Sequence, residues 1–113
     1  MAYDELLAQQ LRDKISPLGA IAEKRMMGGA CFMVDGNMIG GADRQDDGRA
    51  RFMFRVGKDN EDEALSRSGA TAVVQGGKKK GGLIFVYGNN FTDEQLSDWV
   101  NLAWEFVKTL QPK

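Results

Sequence analysis

Between Glu23 and Gly57 the chain alternates every second residue and is broken repeatedly by glycine, and this pattern constrains the fold most. Ala30, Phe32 and Val34 alternate with Cys31 and Met33, while Arg51, Met53 and Arg55 alternate with Phe52, Phe54 and Val56. A period of two places successive side chains on opposite faces of a strand, so the second run turns an aromatic face inward. Glu23 to Met27 is a further candidate strand before Gly28-Gly29, and Asn37 to Ala42 is another. Asp35-Gly36 between two such runs is a hairpin signal. Asp43 to Gly48 is polar and reads as a loop.

The flanks have helical spacing instead. Tyr3, Leu7, Leu11 and Ile15 recur every four residues, and Pro17 is expected to stop that helix near Lys14 to Ser16. At the other end Thr92 with Gln95 forms a capping-box signature, and Phe91 with Leu96 has the spacing of a hydrophobic staple. Leu96, Trp99, Val100, Ala103, Val107 and Leu110 carry that helix to the C-terminus. Asp59 to Arg67 reads as a short acidic helix with Asn60 at its cap. Thr71 to Gln75 and Leu83 to Tyr87 are β-prone, joined by Gly76-Gly77-Lys78-Lys79-Lys80-Gly81-Gly82. The order is helix, about four strands, short helix, two strands, helix. That is a two-layer α+β domain with an antiparallel sheet. Phe52, Phe54, Phe85, Trp99 and Val100 are expected in one core.

With 113 residues and no dividing linker, residues 1–113 form a single domain. Fifteen basic and sixteen acidic residues give a net charge of −1, which excludes binding driven by bulk positive charge. The chain has no histidine, which removes His-based triads, His-containing zinc sites and the usual neutral-pH proton shuttle. Its one cysteine, Cys31, has no partner for an internal disulfide. The acidic start lacks the pattern of a signal peptide, and no apolar run approaches the roughly 18 residues that span a bilayer. A cytoplasmic protein without membrane contact is the expectation.

No candidate chemistry outweighs its structural alternative. Gly77 to Gly82 has two glycines at phosphate-loop spacing, but Leu83 stands where that motif needs lysine, and a strand follows where a helix should. Asp43 to Gly48 loosely resembles a calcium loop, yet Phe54 occupies the position of its last carboxylate. Asp59, Glu61, Asp62 and Glu63 cluster within five positions of a short surface helix and read as a solvated face. Cys31 reads as a small buried hydrophobe, and the methionines as gap-fillers in the core rather than a binding surface. No catalytic, metal or cofactor site is assigned. The residues placed as contacts for a partner or an anion are Lys78, Lys79 and Lys80, together with a local basic patch of Lys24, Arg25, Arg51 and Arg55. The patch competes with charges that merely guard a sheet edge.

The stretch Lys24-Arg25-Met26-Met27-Gly28-Gly29-Ala30-Cys31-Phe32-Met33-Val34-Asp35-Gly36-Asn37-Met38 resembles the N-terminal domain of TfoX/Sxy-type competence regulators. Phe54-Arg55-Val56-Gly57, Lys80-Gly81-Gly82-Leu83-Ile84-Phe85-Val86 and Leu96 with Trp99-Val100 continue the likeness in order. The resemblance implies a secretion-chaperone-like α+β fold and a bacterial cytoplasmic setting in transcription regulation and competence. In longer relatives a helical C-terminal domain follows, so this chain is expected to be a stand-alone domain. The resemblance implies no catalytic residues. The functional expectation is a non-enzymatic module that binds a protein partner, with a homodimer left open. The alternative is a small-ligand or nucleic-acid binding module using the Gly/Lys-rich loop 76–82, with nucleic acid bound weakly at most.

Overall fold

The computed structural model describes residues 3–26, 28–88 and 91–113. Helix α1 (Glu5–Ile15) opens at Asp4, whose carboxylate accepts the Leu7 N–H at 3.1 Å and caps the first turn. Its stripe of Leu7, Ala8, Leu11 and Ile15 is buried. Pro17 stops the α-helix where expected, and a 3-10 turn over Ser16–Leu18 follows.

Four strands come next: β1 (Ile21–Met26), β2 (Gly29–Val34), β3 (Asn37–Arg44) and β4 (Ala50–Arg55). β1 begins two residues earlier than expected, and Met27, its expected last residue, lies outside the described residues. The β2–β3 hairpin turns at Asp35 and Gly36, both at positive φ (51° and 84°), as a tight hairpin of this hand requires. β3 runs on through Asp43 and Arg44, which were expected in the loop.

After β4 a 3-10 turn (Lys58–Asn60) leads into α2 (Glu61–Leu65), shorter than the expected Asp59–Arg67 helix. Asn60 occupies the cap position but does not cap; its amide donates to the Val56 carbonyl at 3.3 Å. β5 (Ala70–Gln75) and β6 (Lys78–Gly88) then form a hairpin, and α3 (Asp93–Val107) closes the chain. The expected seven-residue glycine–lysine connection does not form. Only Gly76 and Gly77 form the turn, and Lys78, Lys79 and Lys80 are the first residues of β6. A two-residue glycine turn suffices to reverse the chain, which releases the lysines to pair across the sheet. The capping box of α3 forms as read, with the Thr92 hydroxyl and the Gln95 side chain each bonded at 3.0 Å. Phe91 packs edge-on against Phe52 at 4.8 Å. α3 ends at Val107, and Leu110 lies beyond it in a turn.

The strands form one antiparallel sheet in the order β1-β2-β3-β4-β6-β5. Alternation sorts the side chains. Ala30, Phe32, Val34, Ala42, Phe52, Phe54, Ile84 and Val86 are buried in the core with α1 and α3. Phe54 stacks on Trp99 at 5.5 Å and lies 6.2 Å from Phe52. Phe85, expected in this core, belongs to the other face. It pairs with Met53 and Thr71, one residue out of step with Ile84 and Val86. The methionines, expected as gap-fillers in the core, also lie outside it: Met33, Met38 and Met53 are half-buried on the face that no helix covers, and Met26 is 51% exposed.

Candidate functional site

The register aligns one row of residues across the uncovered face. Lys24 pairs with Cys31, Cys31 with Gly41, Gly41 with Met53, Met53 with Phe85, and Phe85 with Thr71. Gly41 is required at its centre, because a Cβ there would come within 2.6 Å of the Ala30 carbonyl oxygen. Its missing side chain lowers the floor between Cys31 and Met53. The result is a groove of about 410 Å³ lined chiefly by Met26, Cys31, Met38, Met53, Leu83 and Phe85. Thioethers and an aromatic ring make this floor apolar, polarizable and adaptable.

At one side of the groove Asp43 and Arg51 face each other across β3 and β4. Arg51 donates to both Asp43 carboxylate oxygens, at 3.0 and 2.6 Å, and its guanidinium lies 4.1 Å from the Phe85 ring centroid. The two side chains are only 14% and 10% exposed. Burial works against the Arg51 charge, but hydrogen bonds to Asp43 and Tyr87 outweigh it and raise its pKa. Cys31 is buried, and burial pushes its thiol upward in pKa against the opposing pull of Lys24. That places it among inert thiols rather than thiolates. Among the described residues every buried side-chain nitrogen or oxygen has a partner, and no three acidic or thiol side chains converge as a metal site.

The basic residues singled out in the sequence do not assemble into one patch. Lys24 and Arg25 are neighbours on β1, so they point to opposite faces, and Arg25 lies 3.3 Å from the centroid of the Tyr3 ring. β1 and β4 are separated by two strands, about 14 Å at ordinary strand spacing, which parts Lys24 from Arg51 and Arg55. Arg55 packs over the Phe106 ring at 5.4 Å.

Lys79 is engaged by Glu61, which also accepts the Gly82 N–H at 2.7 Å. Those contacts lock α2 to a wide bulge in β6: from Ala72↔Ile84 to Val74↔Lys79, β6 advances five residues while β5 advances two. The Gly82 carbonyl accepts from Val56 and Gly57 at 2.9 and 3.2 Å. The glycines therefore shape a structural joint. Lys78 and Lys80 are exposed beside it.

This geometry defines a small α+β domain with helices on one face of an antiparallel sheet and a groove of thioether and aromatic side chains on the other. The chain belongs to the TfoX N-terminal domain family, whose model matches residues 13–107. The match takes in all six strands, α3 and the end of α1, so the bare face and the core both lie within it. No curated protein and no solved structure matches the chain. Among the described residues no helix is long and apolar enough to cross a membrane.

Proposed function

We propose that this domain is a non-enzymatic interaction module that engages a protein partner through the helix-free face of its sheet. The observation that carries the reading is the apolar groove itself. An α+β domain of this kind buries one sheet face under its helices, and a second face rich in methionine is costly to leave in water. Charge indicates the partner's chemistry. Asp43 and Arg51, the charged residues that line the groove among the described residues, neutralise each other, so the floor offers apolar contact without net charge. The fitting partner is an amphipathic helix whose apolar stripe seats on the thioethers, a mode in which flexible methionines adapt to the ridge. Family membership supports a regulatory setting, with control of competence genes in the bacterial cytoplasm as the context.

The test is capture from a native lysate followed by reconstitution with the purified partner. Met53→Asp on the bare face is expected to weaken binding by about tenfold or more. Leu6→Asp, at a residue 67% exposed on α1, leaves binding unchanged. Equal binding by all three proteins, or recovery of nucleic acid or a metabolite alone, overturns the reading.

A further inference from the structure

The two edges of the sheet are built differently. β1 reads Ile21-Ala22-Glu23-Lys24-Arg25-Met26, with three charges at its centre, and such an edge repels another strand. β5 reads Ala70-Thr71-Ala72-Val73-Val74-Gln75, with no charge and no proline. Val74 is 59% exposed, and Thr71 and Gln75 are exposed with it. Among the described residues, no backbone hydrogen bond outside the sheet involves residues 71–75. Since β6 is the only strand paired with β5 among the described residues, its other edge presents open donors and acceptors. Of the usual devices that protect an edge, the described residues show here only the bulge against β6, with no charge or proline on β5 itself.

We propose that the free edge of β5 pairs antiparallel with the same edge of a second copy of this chain, joining two six-stranded sheets into one. Charge selects both the occupant and the direction. Lys78, Lys79 and Lys80 lie beyond the turn at one end of β5, with Lys79 engaged by Glu61, and at the other end Arg67 is paired with Glu63. Antiparallel pairing sets the two lysine clusters at opposite ends of the six-residue strand, about 20 Å apart. That exceeds the Debye length of about 8 Å at physiological salt. Parallel pairing would bring the clusters together. An arriving peptide with basic residues meets the same lysines, whereas a second β5 brings none along its length. Because β1 is guarded, head-to-tail addition of β1 to β5 is disfavoured, and association closes at the dimer instead of growing into a filament. One short strand pair buries less than a standard interface, so the dimer is weak, with a dissociation constant of about 10–100 µM. Val74 and Gln75 line the groove as well as this edge, whereas Thr71 does not, so a Thr71→Lys protein that loses the dimer but keeps the face-binding partner separates the two readings.

Sedimentation equilibrium of the full chain, from about 1 µM to several hundred µM, tests this on the scale set by that constant. The expected result is a mass rising from 12.5 kDa toward twice that value. Amide exchange in 70–75 should slow at high concentration while that of 21–26 does not. Thr71→Lys and Val74→Lys, both at exposed positions, should each keep the monomer's fold by circular dichroism and shift dissociation at least tenfold upward. Ala22→Lys on the other edge should leave it unchanged. A monomer throughout the range, or a dimer that tolerates both β5 variants, overturns the proposal.

Discussion

Phe54→Ala tests the assignment of the two sheet faces with a quantity large enough to be decisive. The Phe54 ring is 1% exposed and lies between Phe52 and the indole of Trp99. Returning that much apolar surface to water costs about 2.5 kcal/mol. If about 60 Å³ of the vacated space stays open, the cavity adds about 1.5 kcal/mol at 24 cal/mol per Å³. The sum is about 4 kcal/mol, a large share of the 5–15 kcal/mol typical of a domain. For 113 residues at about 2.1 cal/mol/K each, the melting temperature falls by about 17 °C. In urea, with a slope of about 1.5 kcal/mol/M, the midpoint falls by about 2.7 M. Phe85→Ala, two strand positions from the bulge and half-buried on the bare face, costs only about 1–2 kcal/mol. The assay is urea unfolding of both variants by tryptophan fluorescence. Equal losses, or a larger loss for Phe85→Ala, would mean that the two faces have been assigned the wrong way round.

Replacing Cys31 with Ala leaves partner binding intact once any stability change is matched, because the thiol is buried and its pKa raised; loss of binding at unchanged stability contradicts this. The Glu61 carboxyl is held below the ordinary range, first by the Lys79 hydrogen bond and then by the Gly82 N–H. It therefore stabilises the fold above the unfolded value of about 4.3 and loses that contribution as pH falls through its lower folded value. Glu61→Gln should be less stable near neutrality and flatter in acid, seen as urea midpoints that converge with those of the wild type as pH drops below about 4. Nucleic-acid binding is expected to be weak and independent of sequence. With Lys79 held by Glu61, two lysines remain for phosphates, giving a log–log salt slope of about −1.8 and roughly a 12-fold loss between 50 and 200 mM salt. Fluorescence anisotropy that finds tight binding at the higher salt, lost on changing Lys78, Lys79 and Lys80 to Gln, contradicts that expectation.

The elements most legible in the sequence were those whose signals are local. The capping box at Thr92 and Gln95, the apolar stripe of α1 and the Asp35-Gly36 hairpin each require only a few adjacent residues to be read. The alternation in β4 also fixed the inward face correctly, because Arg51 and Arg55 leave no doubt about which side is wet. The bare face was harder. In β2 both parities are apolar, Ala30, Phe32 and Val34 on one side and Cys31 and Met33 on the other, so periodicity cannot rank them. β6 has the same ambiguity between Ile84 with Val86 and Leu83 with Phe85. Only the register with β4 resolves it, since Phe85 stands opposite Met53. Apolar residues of both parities in two strands that flank the β3–β4 pair were the available signal for a second apolar face. The β6 bulge was invisible for a different reason. It depends on Glu61 reaching Lys79 and Gly82 from a separate element, a contact that no local pattern encodes.

The central claim is that the helix-free face is the binding face, and methionine methyl NMR tests it most directly. The methyls of Met38 and Met53 lie on that face, and the Leu7 and Leu11 methyls in the helix-covered core serve as internal controls. Titration with the purified, captured partner should shift and broaden the Met38 and Met53 signals while the two leucines stay in place. Saturable binding that leaves both methionines unmoved contradicts the account.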